Sequence, residues 1–354
     1  MLRRSPNARI TAAPDSTVAN ADANRARLEI SNLAVTLQRP NQNPVHLVEE
    51  VSLTIEPGEI VGMVGESGSG KTMTSLAVMR LLPRYARASG SIRFGGRELL
   101  DLSEDDMRDV RGSEVGMVFQ EPVAALNPVF TVWSQLGSAI RAHHKLSKNE
   151  ARSRAIELLH MVGLPEPEQR LKQYPHELSG GMAQRVMLAM ALSSGAKLLL
   201  ADEPTTSLDV TIQDDIIRLI QKLAAETGIG VLFISHDLGL VSRISDRVAV
   251  MYAGQIVESG PTRVLLEAPM HPYTQALVRC VPDLDQVGVV RRGIPGAPPV
   301  PGSVPSGCRF RSRCEFAATQ CELQQTLDQV DNVHAVRCIR APELATTQPA
   351  AVGR

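Results

Sequence analysis

An α/β fold built on a parallel sheet is predicted for this 354-residue chain, and three observations predict it. Residues 60–64, 198–201 and 231–234 are short, continuous apolar runs, the pattern of strands buried on both faces. A helical period fills the interval between the last two, from about Val210 to Thr227, and strand–helix alternation implies parallel pairing. Residues 28–37 and 48–55 instead alternate apolar with polar side chains, as half-buried antiparallel strands do, so an antiparallel β subdomain precedes the parallel sheet.

The remaining elements follow in order. Pro57-Gly58 is a turn, and the strand at 60–64 runs into a glycine-rich loop followed by a helix from Lys71 to about Leu82. Residues 115–119 read as another strand, and residues 131–164 are helical in period, most clearly over 151–161. The stretch 121–185 interrupts the strand–helix alternation and is expected to form a helical subdomain. Residues 248–252 and 255–258, joined by Ala253-Gly254, make a hairpin. Beyond about Glu267 the character changes: residues 293–307 are rich in proline and glycine, and a cysteine-bearing segment and a polar end follow. The expected organisation is a disordered polar arm over 1–27, a main domain over 28–266, and an extension over 267–354 with a four-cysteine module at 308–338. No internal repeat is present.

Composition narrows the functional classes. A formal net charge of −1 supplies no electrostatic ground for nucleic-acid or anionic-lipid binding, and 3% aromatic residues leave little for stacking platforms. The longest apolar runs are far too short to cross a bilayer, so a membrane role would be peripheral. Met1-Leu2-Arg3-Arg4 is not followed by an apolar segment, and Asp15 and Asp22 interrupt a transit-peptide pattern. Five cysteines without a secretory signal point to a reducing, cytoplasmic compartment.

Gly65-Glu66-Ser67-Gly68-Ser69-Gly70-Lys71-Thr72 fits G-x-x-x-x-G-K-[ST] between a strand and a helix. Its glycines let backbone N–H groups turn around a phosphate, and the helix N-terminus adds its positive end. Lys71 would hold the β- and γ-phosphates, and the Thr72 hydroxyl would ligate Mg²⁺. The apolar run 198–201 ends in Asp202-Glu203. That strand end delivers two carboxylates beside the loop: Asp202 suits the magnesium site, and Glu203 suits a base that orients the attacking water.

Leu178-Ser179-Gly180-Gly181-Met182-Ala183-Gln184-Arg185 opens a helix, with Ser179 a natural cap and two glycines permitting close approach to an anion. Its position just before the Asp-Glu strand resembles the signature of the ABC ATPases. The resemblance implies a P-loop NTPase fold, an ABC cassette with a RecA-like parallel sheet. It also implies that Ser179, Gly180, Gly181 and Gln184 serve the ATP of an opposite subunit, two cassettes sandwiching two nucleotides. Other matches arrive in the family's order. Gln120 resembles the Q-loop residue that meets metal and water, Ser207-Leu208-Asp209 the D-loop at the dimer interface, and His236 the switch histidine. One departure stands out: residues 28–50 hold no Phe, Tyr or Trp to stack on adenine, which leaves His46 or Arg39 as stand-ins.

Gln120-Glu121-Pro122-Val123-Ala124-Ala125-Leu126-Asn127-Pro128, His271-Pro272-Tyr273-Thr274-Gln275-Ala276-Leu277 and Gly307-Cys308-Arg309-Phe310-Arg311-Ser312-Arg313-Cys314 resemble the oligopeptide/dipeptide/nickel importer branch. That implies two transmembrane permease subunits, a second ATPase subunit or an identical copy, an extracytoplasmic solute-binding protein, and a place on the cytoplasmic face of the membrane. Cys308, Cys314, Cys321 and Cys338 are spaced too widely for a typical zinc site. Some members of the branch are thought to carry a [4Fe–4S] cluster, so these four residues are its expected ligands; four reduced thiols are the alternative. Cys280 falls outside the set and is expected to be a small buried residue. Competing functions are a soluble ABC ATPase of translation or DNA repair and a redox-regulated ATPase module. The first commonly has two cassettes or long coiled-coil insertions, which this chain lacks.

Overall fold

This computed structural model of the chain describes residues 26–206, 208–281 and 293–345. Most of the expected N-terminal arm, Ser207 of the D-loop, and the far C-terminus lie outside the described residues.

A four-stranded antiparallel sheet has the order β2-β1-β4-β5, from β1 (Leu28–Leu37), β2 (Val45–Ile55), β4 (Ala86–Phe94) and β5 (Arg97–Glu98). The second sheet contains β3 (Ile60–Val64), β6 (Val115–Val118), β7 (Leu198–Asp202), β8 (Gly230–Ser235), β9 (Arg247–Tyr252) and β10 (Gln255–Pro261). Two short strands of the extension, β11 (Asp328–Gln329) and β12 (Ala335–Val336), complete its order β11-β12-β10-β9-β3-β8-β7-β6. Strands β9, β3, β8, β7 and β6 run parallel, as the apolar runs predict.

Those runs are continuous because both faces are covered, yet the period of two persists beneath them. Val61, Met63, Leu198, Leu200, Leu232 and Ile234 belong to the core shared with the antiparallel sheet. Ile60, Val64, Leu199, Ala201, Val231 and Phe233 belong to the core beneath the helices. Each of these side chains except Ala201 contributes about 1.5–3 kcal/mol on leaving water.

The helices read plainly from their caps. α1 (Lys71–Val78) lies on the first core and begins after Gly70, whose φ of 107° lies in the left-handed region. α4 (Val132–His143) is capped by Thr131, and α5 (Lys148–Met161) by a Ser147/Glu150 capping box. α7 (Gly180–Ala191) is capped by Ser179 and α8 (Val210–Thr227) by Asp209, with Gly228 closing α8 in the left-handed conformation. These four lie on the second core. Short helices α3 (Pro122–Ala125) and α6 (Pro167–Arg170) join α4, α5 and α7 in the helical subdomain. α9 (Leu238–Ile244), α10 (Thr262–Glu267), α11 (Pro272–Cys280) and α12 (Ala341–Ala345) complete the chain.

Several elements depart from expectation. α1 stops at Val78 rather than near Leu82, because Arg80 adopts a left-handed φ of 50° and sends Nη1 to the Leu102 carbonyl at 2.6 Å. β4, β5 and α2 (Glu104–Ser113) are additional. α2 buries only Met107 and Val110, which is too little for an apolar stripe. The extension does not hang apart from the main domain: β12 pairs antiparallel with β10 through Glu258/Val336 and Ser259/Ala335. Cys280 is half-buried rather than buried.

Candidate active site

The loop between β3 and α1 wraps the Lys71 ammonium. Its Nζ donates to the Gly65 carbonyl at 2.8 Å, the Glu66 carbonyl at 3.1 Å and Ser69 Oγ at 3.4 Å. Burial lowers the Lys71 pKa, opposed by the carboxylates of Glu203, Asp202 and Glu66. Gly68 and Gly70 supply the left-handed turns, with φ of 77° and 107°. Thr72, on the first turn of α1, donates from Oγ1 to Asp202 Oδ1 at 3.2 Å. Burial raises the Asp202 pKa, and the Thr72 hydrogen bond opposes it. A buried cation and a buried carboxylate therefore stand ready for an anionic triphosphate and a hard divalent cation. The hydroxyl, carboxylate and amide oxygens of Thr72, Asp202 and Gln120 are the donor chemistry that suits Mg²⁺.

Glu203 sits where β7 ends, with a strained left-handed φ of 48°. Two donors meet its Oε2, Gln120 Nε2 at 3.0 Å and Thr206 Oγ1 at 2.9 Å, and His236 Nδ1 lies 3.3 Å from the same oxygen. Gln120 follows β6 and His236 follows β8, so three neighbouring strand ends bring these groups to one point. Thr206 was missed from sequence, since a threonine just past a strand carries no motif signal.

The signature segment lies elsewhere on the chain. Ser179 Oγ accepts from the Met182 N–H at 3.3 Å, and Gly180 and Gly181 press against Leu208 and Ile212. Asp209 caps α8 by accepting from the Ile212 N–H at 2.9 Å. Gln184 is fully buried, with neither amide atom hydrogen-bonded. The nucleotide set read from sequence thus divides into a P-loop group, Gly65 to Thr72 with Gln120, Asp202, Glu203 and His236, and a separate group of Ser179, Gly180, Gly181, Gln184 and Asp209. Of the two stacking stand-ins, His46 Nδ1 lies 3.0 Å from Thr36 Oγ1 and Arg39 is exposed.

The extension reaches the P-loop as well. Arg313 meets both carboxylate oxygens of Glu66 at 2.6 and 2.9 Å, and the Glu66 N–H donates to the Tyr273 hydroxyl at 2.9 Å. Neither contact was foreseen, because both join segments remote in sequence. Behind them, Cys308, Cys314, Cys321 and Cys338 line one small cavity with Phe310 and Phe316. Burial pushes the Cys338 thiol up to about 11 and also raises Cys308 and Cys314, while backbone N–H groups of Arg340, Phe310 and Phe316 are aimed at those sulfurs. Among the described residues, no three His, Cys, Asp or Glu side chains form a group that could hold a metal ion.

The chain matches the ABC transporter family over residues 48–206 and the oligopeptide/dipeptide transporter C-terminal region over residues 257–321. A Brucella melitensis protein named for peptide import and ATP binding is 48% identical over 332 residues, 90% of this chain and 98% of that protein. The chain belongs to the ABC transporter family. A Brucella abortus protein with the same kind of name is 46% identical over 91% of this chain and 96% of its own length. Among solved structures, a dimeric ATP-binding cassette in a post-hydrolysis state with ADP and Pi is 29% identical, with a TM-score of 0.59 over 67% of this chain and 99% of its own. The cbiO1 protein of Clostridium perfringens, part of the ABC transporter complex cbiONQ, gives 27% and 0.57 over 67% of this chain and 88% of its own. This ABC ATPase has the fold those cassettes share, with an α/β core and the sheet arrangement described above. Among its described residues, no helix is long and apolar enough to cross a membrane.

Proposed function

We propose that this ABC ATPase powers peptide import through two permease subunits at the cytoplasmic face of the membrane, supplied by an extracytoplasmic solute-binding protein. The observation that carries the reading is the division of the nucleotide residues. Lys71, Thr72, Asp202 and Glu203 gather at the strand ends, while Gly180 and Gly181, beside Ser179, pack on Leu208 and Ile212 instead. Each half complements the other only across two cassettes, so a second ATPase subunit completes each site. The close relatives named for peptide import support the cargo.

In that assembly Lys71 and the loop N–H groups hold the phosphates; Thr72, Asp202 and Gln120 would hold Mg²⁺, which would supply positive charge against the phosphate oxygens. Glu203 takes the proton of the attacking water, oriented by Gln120, Thr206 and His236 around its carboxylate. Ser179 and Gly181 of the opposite cassette seal the γ-phosphate. The test is to tag the Glu203→Gln chain, add Mg-ATP, capture it from membranes of the source cell and identify what co-purifies. Two multi-span permeases with an ATPase partner are expected; ribosomal or DNA-bound partners without a permease would overturn the importer.

The four cysteines of the extension fit a [4Fe–4S] cluster better than a single ion. They surround one cavity without the close grouping that one ion requires, and backbone N–H groups point at three of the sulfurs. Cys308, Cys314, Cys321 and Cys338 would each ligate one corner. Anaerobically purified chain should be brown, with absorbance near about 400 nm and stoichiometric iron and sulfide; colourless protein with little iron would sink the cluster.

A further inference from the structure

We infer that residues 294–302 of the extension form the wall of the nucleobase site, replacing the aromatic side chain that residues 28–50 lack. The inference rests on reading Gly65 to Thr72 as the phosphate loop, and it adds the part of the ligand that loop does not touch.

A cavity of about 200 Å³ opens between the two segments, with Glu66 to Ser69 on one side and Pro298, Pro299, Val300 and Pro301 on the other. Its floor is Tyr252, whose ring is fully buried against Tyr273 at 4.6 Å and Phe310 at 5.3 Å between centroids. The strap is fastened at both ends. Arg313 donates from Nε to the Pro295 carbonyl at 2.8 Å and from Nη2 to the Ile294 carbonyl at 3.2 Å, while its guanidinium also clasps Glu66. At the far end, Gly302 lies so close to the start of β2 that an added Cβ would fall 3.3 Å from Val45 Cγ2. The strap thus runs from the P-loop to the strand pair on which a stacking aromatic would otherwise sit.

Its chemistry suits the flat face of a nucleobase. Proline-rich backbone is stiff and extended, so the wall is ordered before the ligand arrives. Its surface toward the cavity is apolar, and every base offers a flat π-face to such a surface. Val300 is 70% exposed, an apolar side chain placed at the cavity with little to cover it. Among the described residues lining this cavity, the strap contributes no polar side chain that could tell an adenine edge from a guanine edge. The site therefore takes the nucleobase by its face rather than its edge, and its preference for ATP over GTP is less than about 10-fold.

The test compares Mg-ADP with Mg-pyrophosphate by calorimetry on the full chain; the second probe carries the phosphates without the base. In the Pro299→Gly/Val300→Gly variant, which alters one half-buried and one exposed residue, the Kd for ADP should rise about 5-fold or more. The pyrophosphate Kd should stay within about 2-fold. Val300→Trp should tighten ADP and leave pyrophosphate alone. Unchanged ADP affinity in the glycine variant would overturn the base site, and so would an equal loss for both probes. Lys71→Ala separates the two readings: it should weaken both probes, and if it weakens neither, the phosphate loop itself has been misread.

Discussion

Arg313 and Glu66 stand 247 residues apart in sequence and form a two-pronged ion pair, Nη1 to Oε2 at 2.6 Å and Nη2 to Oε1 at 2.9 Å. The arginine side chain is only 3% exposed, and its guanidinium also lies 5.8 Å from the ring centroids of Tyr252 and Phe310. One side chain thereby joins the cysteine module, the proline strap and the P-loop. Arg313→Ala should cost about 1–3 kcal/mol of stability, because it removes a charge-assisted fork and its packing together. Arg313→Lys should recover less than half of that, since an ammonium cannot make both prongs. Thermal melts of the three proteins check the order, with the alanine variant lowest.

Glu203→Gln keeps the shape of the carboxylate and removes its basicity. Turnover should fall about 100-fold or more, while ATP binding stays within about 2-fold. Phosphate release and equilibrium binding measured on the same preparation decide it. Near-normal turnover would mean that another group orients the water.

Two glycines of the P-loop separate crowding from backbone strain. A Cβ on Gly65 would fall 2.0 Å from the Met251 carbonyl oxygen, a backbone atom that cannot swing away. On Gly68 it would meet nothing within 4 Å, but the φ of 77° is costly for any other residue. Gly65→Ala should therefore destabilise by roughly 2–3 kcal/mol and Gly68→Ala by about 1 kcal/mol. Denaturant midpoints with unchanged slopes would give the comparison.

Acid should loosen the helix that starts at His271. Its Nδ1 accepts the Tyr273 N–H at 3.0 Å, which requires an unprotonated nitrogen. Burial, reinforced by Arg337 and opposed by Glu258, lowers its pKa from 6.5 to about 4. The unfolded imidazole takes a proton near pH 6.5 and the folded one does not until about pH 4. Stability is thus whole above that window, declines as the pH falls through it, and loses on the order of 3 kcal/mol by its lower edge. His271→Asn retains a capping acceptor but cannot titrate there, so its melting temperature should depend less on pH between 7 and 4.5.

The site was legible in the sequence wherever chemistry and local structure coincide. The P-loop glycines, the Asp202-Glu203 strand end and the Ser179 cap each need particular residues at fixed spacing, and each stands where its spacing places it. The continuous apolar strands were legible because both faces are buried. β4 and α2 were not: β4 reads Ala-Arg-Ala-Ser-Gly-Ser-Ile-Arg-Phe, with only Ala86, Ile92 and Phe94 buried, and α2 is a charged helix resting on two residues. The clasp between Arg313 and Glu66 was illegible for a different reason. Nothing local marks either residue as a partner, and only the return of the extension onto the main domain brings them together.

That return also sets an order in time. A ribosome adding ~5–20 residues per second needs roughly 12–50 s to cover the 247 residues from Glu66 to Arg313. For most of that interval the nascent chain has a P-loop without its strap, and throughout it without its clasp or strand β12. A message broken before its last stretch would yield a protein able to cradle phosphates but lacking those three contacts, so only a finished translation product carries the whole pocket.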